Sequence, residues 1–119
     1  MNHQNLENRL IDFAVLITEI VNKMPNTRAS NYYAGQLLRS DSSPALNYGE
    51  AQSAESTKDF IHKMSIVLKE LRETLICLTI IRKTKSFNSE NLITEALDES
   101  NQLVAIFVKS LQTARRNKR

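Results

Sequence analysis

Chemistry in a protein needs acids, bases, nucleophiles or metal ligands at fixed spacing, and this chain offers few such sets. Glu70 and Glu73 share a helix face, as a paired acid and base would, but Lys69 and Arg72 flank them. Interleaved charges of that kind make a salt-bridged face. Di-iron carboxylate bundles carry Glu-x-x-His on two helices. Here no glutamate is followed three residues later by a histidine, and Asp59 with His62 is the one acid–histidine pair at that spacing. The expectation is therefore no metal and no cofactor, with His62 on the surface. No Gly-x-Ser-x-Gly elbow and no glycine-rich phosphate loop occurs, Gly35 and Gly49 being isolated. Cys77, the single cysteine, lies between Ile76 and Leu78 and reads as a small buried hydrophobe. The residues point away from an enzyme.

A second set is polar without being catalytic. Gln36, Arg39 or Ser40, Ser43, Asn47 and Glu50 recur at spacings that line one face of a helix. Such a stripe is either a solvated face or a hydrogen-bond network, inside the bundle or between subunits. Turning it to water brings Asp41 and Arg28 inward beside leucines, so burial is the expectation. Arg39 then requires an acid from Glu50, Glu70 or Glu73, because an unpaired buried charge costs on the order of 3–5 kcal/mol. Gln36, Arg39, Ser43, Asn47, Glu50, Glu70 and Glu73 together form the predicted structural polar network.

The elements that carry these residues are helical. With 119 residues the chain makes one domain, and 2 glycines, 2 prolines and 6% aromatics leave too few turns for a β-sandwich or barrel. Leu6, Leu10, Phe13, Ile17, Ile20 and Met24 alternate at four and three residues, predicting a first helix from about residue 4 to Met24. Pro25 ends it. A second helix is expected over Thr27 to Gln52, with Tyr32, Leu37, Leu38, Leu46 and Tyr48 as its apolar contacts and a kink near Pro44. A loop at Asp41 to Pro44, with Ser43 as cap, is the alternative. Ser56 to Asp59 resembles a capping box for a third helix reaching Lys85. Asn88 or Ser89 caps a fourth, whose inward-facing residues reach Ala114 before it fades into the basic tail. Four such helices on short connections predict an all-α, antiparallel up-down-up-down four-helix bundle. Residues 1–114 form the bundle and residues 115–119 a basic tail.

Charge separates body from tail. The net charge is +3, and Arg115, Arg116, Lys118 and Arg119 contribute +4, leaving the first 114 residues at −1. Up-down topology puts Lys23, Arg28, Arg82, Lys83 and Lys85 at the opposite end. These cations complement helix dipoles and aid solubility, or they contact phosphates. Four charges on one monomer bind nucleic acid weakly, whereas several linked tails reinforce one another. Phe87 is the one aromatic near a basic cluster, so base-specific stacking is not expected. Sequence-indifferent binding of RNA or DNA and a protein-interaction scaffold both stand. No apolar run approaches the ~18 residues of a membrane span, and the first residues lack a signal peptide's pattern, so a cytoplasmic protein is expected.

Gly35-Gln36-Leu37-Leu38-Arg39-Ser40, then Ser43, Asn47 and Glu50, then Lys58-Asp59-Phe60-Ile61, resembles a known bacterial signature. It is that of the 23S rRNA intervening-sequence proteins, a four-helix-bundle family. Many members carry Asn-Ile-Ala-Glu-Gly where this chain has Asn47-Tyr48-Gly49-Glu50-Ala51, so the small residue is displaced. The resemblance implies an all-helical bundle assembling as a homopentamer, with ribosomal RNA as the proposed partner. The accessory variability proteins of diversity-generating retroelements look similar, and they are basic pentamers that bind nucleic acid and a reverse transcriptase.

Overall fold

The computed structural model describes residues 2–117, built from five helices in four arms. They are α1 (His3–Lys23), α2 (Arg28–Ser40), α3 (Ser43–Gln52), α4 (Thr57–Thr84) and α5 (Glu90–Arg116). α2 and α3 form one bent arm, so the expected up-down-up-down four-helix bundle is what the chain adopts. α2–α3 and α5 each pack on α1 and α4 and occupy opposite corners of the bundle. Across the core between those corners, Tyr48 and Phe107 meet edge to face at 5.6 Å. Among the described residues no helix is long and apolar enough to cross a membrane.

Local chemistry fixes the ends of the helices. Asn2 Oδ1 accepts from Asn5 N at 2.9 Å, Thr27 Oγ1 from Ser30 N at 3.1 Å, and Ser56 Oγ from Asp59 N at 3.0 Å. Each satisfies one backbone donor that a helix start leaves free. α4 stops in a Schellman turn, with Ser86 N donating to Ile81 O at 3.1 Å and Lys85 N to Arg82 O at 3.2 Å. That turn puts Lys85 at φ 56°, a left-handed position usually held by glycine.

The bend at Pro44 is a two-residue interruption. Asp41 (φ −71°, ψ −42°) and Ser42 (φ −95°, ψ −17°) keep nearly helical geometry, so the arm bends without reversing. Proline in an unbroken helix interior costs ~3 kcal/mol. Starting α3 at Ser43 moves Pro44 to the first turn, where its missing N–H has no intrahelical partner to lose. Ser43 is thus the first residue of α3, and Ser42 is the flanking residue, without a side-chain cap bond.

The seams of α1, α4 and α5 bury as their periodicity predicts. Leu10, Phe13, Ile17, Ile20, Leu71, Leu78, Ile81, Leu103 and Phe107 are each at most 2% exposed. Burial of each such side chain contributes ~1.5–3 kcal/mol. The outer side of the bent arm departs from expectation: Tyr32, Leu38 and Leu46 are 63%, 50% and 64% exposed and are not core contacts. On α1, Ile11 likewise turns outward.

Candidate functional site

The seam of the bent arm runs Leu37, Asp41, Pro44, Tyr48, Ala51, all buried, at spacings of four, three, four and three. Asp41 therefore lies on the inner face. Thr18 Oγ1 of α1 donates to Asp41 Oδ2 at 2.7 Å. One residue earlier, Ser40 Oγ lies 2.9 Å from Thr74 Oγ1 of α4. The interruption before Pro44 is thereby tied to both neighbouring helices. This inward Asp41 is the arrangement the sequence argued against, and the Thr18 hydroxyl makes it acceptable.

With Asp41 inside, the polar stripe faces out, and it does not form a network within the bundle. It divides into three parts. Gln36, Arg39 and Ser43 line one wall of a groove of about 550 Å³ between α2 and α4, with Glu70 and Glu73 on the other. Asn47 folds back on its own turn, its amide donating to Ser43 O and Ser43 Oγ at 3.0 Å each. Glu50 accepts from Lys63 at 2.7 Å. Arg39 is exposed and makes no ion pair among the described residues, so the acid expected for it within the chain is not there. Burial, and then the neighbouring Glu73, raise the Glu70 carboxyl above its ordinary range, against the pull of Lys69.

The far end of the groove is apolar, lined by Tyr32, Tyr33, Ile76, Cys77 and Ile80. Burial pushes the Cys77 thiol up to about 11, which removes the thiolate that a nucleophile or metal ligand requires. His62 is exposed. Asp59 serves the start of α4 through its backbone. No cluster of potential metal ligands forms among the described residues.

The cations fall at two ends of a bundle 50 Å long. At one end Ser30 Oγ donates to Ser86 O at 2.7 Å, which holds the start of α2 against the α4–α5 loop. Arg28 of α2 thus shares an end with Arg82, Lys83 and Lys85, and all four are exposed without an ion pair among the described residues. Lys23 differs, pairing with Glu19 at 3.0 Å. Phe87 is buried and offers no ring for stacking, whereas Tyr32, one turn along α2 from Arg28, is 63% exposed. At the other end α5 continues through Arg116, and Arg115 Nη2 reaches Ser65 Oγ at 3.4 Å. Lys118 and Arg119 lie outside the described residues. Between the ends, the α1–α5 groove is acidic, lined by Asp12, Glu95, Asp98 and Glu99. Of these Glu99 is held by Arg9 through two bonds, of 3.0 and 2.6 Å.

The buried hydroxyl contacts of Ser30, Ser40 and Thr74, and the Thr18–Asp41 pair, were not anticipated as a set. The available signal was register: Asp41 sits on the same four–three seam as Leu37 and Tyr48.

A search against curated proteins returns no significant match. Among solved structures the chain is similar to a protein of unknown function from the S23 ribosomal protein family of Bacteroides thetaiotaomicron. The TM-score is 0.83 at 26% identity, over 94% of this chain and 99% of that one. The family model of the 23S rRNA-intervening sequence proteins matches residues 4–109. That match spans nearly the whole bundle: this chain belongs to the 23S rRNA-intervening sequence protein family.

Proposed function

We propose that the protein is a non-enzymatic, cytoplasmic homo-oligomer, the pentamer that the resemblance implies, which holds RNA by its phosphates. The observation that carries this reading is the end formed by Arg28, Arg82, Lys83 and Lys85, four exposed cations with no acid bound to them among the described residues. The acidic α1–α5 face repels a polyanion and leaves the two basic ends, that of Arg28, Arg82, Lys83 and Lys85 and that of Arg115 and Arg116, as the surfaces it would approach. Phosphate contacts of this kind carry charge and not base identity. Family membership makes ribosomal RNA the first probe. Repeated around an oligomer, four contacts per copy gain by linkage.

Titration of a ribosomal RNA fragment at two salt concentrations tests it. Engagement of four phosphates by one copy gives a slope of log affinity against log salt of roughly −3. The variant carrying Arg28→Ala, Arg82→Ala, Lys83→Ala and Lys85→Ala should flatten that slope and lose binding. Unchanged binding by this variant would refute the assignment. A protein-binding scaffold is the second reading, favoured by the exposed apolar end of the α2–α4 groove at Tyr32, Ile76 and Ile80. Its partner would survive the same rise in salt.

A further inference from the structure

The apolar end of the α2–α4 groove opens beside the basic end of the bundle. Along α2, Arg28, Tyr32 and Gln36 follow one another at spacings of four, on one face of the helix. Along α4, Ile76, Ile80 and Lys83 do the same at spacings of four and three. The start of α2 lies against the end of α4, where Ser30 meets Ser86, so Arg28 and Lys83 share the mouth of the groove. Tyr32 and Ile80 come about one turn inside it, a rise of roughly 5–6 Å.

Tyr32 is a large aromatic without cover. It is 63% exposed, and Ile76 and Ile80 across the groove are 60% and 37% exposed. Its ring is nevertheless held in place. The Tyr33 ring stands against it at 5.5 Å and 78°, and Tyr33 itself packs on the core. Gln36, next along the same wall, carries an amide that both donates and accepts.

Charge decides what fits this slot. The mouth holds Arg28, Arg82, Lys83 and Lys85, with no ion pair among the described residues. The apolar end carries no charge, and Glu70 and Glu73 come further along, beside Lys69 and Arg39. A run of phosphates is drawn to the mouth but has nothing to gain from an apolar wall and meets two acids beyond it. A flat, uncharged ring attached to a phosphate suits both parts at once. An apolar peptide side chain suits the slot and leaves four cations unused.

We propose that the apolar end is a slot for an unpaired base: a single-stranded RNA, held by its phosphates at Arg28 and Lys83, turns one base inward to stack on Tyr32. Ile76 and Ile80 form the opposite wall. The inference rests on the phosphate-binding reading above and adds to it the form of the RNA. A base inside a duplex is already paired and stacked, so the slot selects single strands. Stacking on tyrosine accepts every base, so sequence preference is small.

The test uses the full chain, an oligoadenylate, and an abasic oligomer of the same length and phosphate count. The wild type should bind the oligoadenylate roughly tenfold more tightly, the gain from one stacked base. Tyr32→Ala should lose that gain while keeping both its affinity for the abasic oligomer and its salt slope. Tyr32 is exposed and alanine is the better helix former, so helix content by circular dichroism should hold. Because the chain has no Trp, Tyr32→Trp supplies a single fluorescent reporter, which oligoadenylate should quench and the abasic oligomer should not. Oligoadenylate paired with its complement should bind wild type and Tyr32→Ala alike. Equal affinity of the wild type for the two single-stranded oligomers would overturn the slot. So would a Tyr32→Ala chain that binds oligoadenylate as the wild type does, and either result returns the apolar end to a protein partner. The phosphate reading stands in those cases if the four-cation variant still loses binding. If neither oligomer binds the wild type, both readings fall.

Discussion

Replacing Thr18 by Val removes the hydroxyl that bonds Asp41 and changes the side-chain volume little. Asp41 is 8% exposed, and Thr18 Oγ1 is its hydrogen-bond donor at 2.7 Å. A hydrogen bond to a charged group is worth ~1.5–3 kcal/mol, and a buried acceptor left without its donor also bears the cost of desolvation. Thr18 is half-buried, which lets water recover part of the loss, so about 2 kcal/mol is the expected destabilisation. At ~2.1 cal/mol/K of unfolding entropy per residue, that lowers the midpoint by about 8 °C for a chain of this length. The assay is thermal and urea unfolding followed by circular dichroism at a fixed protein concentration, since assembly would make the midpoint concentration-dependent. Asp41→Asn keeps an acceptor for Thr18 and should cost less. The double variant separates the pair term from the loss of either residue alone. A Thr18→Val midpoint within about 2 °C of wild type would show that this contact does not hold the bend before Pro44.

The remaining predictions concern the α4 end and the groove. Lys85→Gly relieves a left-handed residue and should raise stability by ~1 kcal/mol in thermal unfolding, while weakening RNA binding at the basic end. Glu70 is raised in the folded state, so folding favours its protonated form: stability gained from protonating it appears as pH falls through the folded value and is complete below the unfolded one. Glu70→Gln should therefore raise stability at neutral pH and flatten that part of the pH–stability curve, measured by urea midpoints at several pH values. With its thiol pushed up to about 11, Cys77 should react with a thiol reagent only slowly in the folded protein and readily in urea. Fast native labelling would contradict that burial.

Helix positions were legible because apolar residues repeat at the period of a helix that packs on neighbours, and α1, α4 and α5 bury those repeats. The bent arm was read less well for a physical reason. Its seam passes through Asp41, and a hydrophobicity pattern gives an acid no place inside unless a partner is known. That partner, Thr18, lies 23 residues away on another helix, and nothing local announces it. Once Asp41 is turned inward, Tyr32, Leu38 and Leu46 turn outward with the polar stripe, since α1 and α4 cover the arm from one side and leave its far side to solvent. Periodicity cannot separate an apolar residue facing its own core from one facing another chain, because both obey the same spacing. Exposure separates them: Tyr32, Leu38 and Leu46 were read as core contacts of their own helix and are 63%, 50% and 64% exposed.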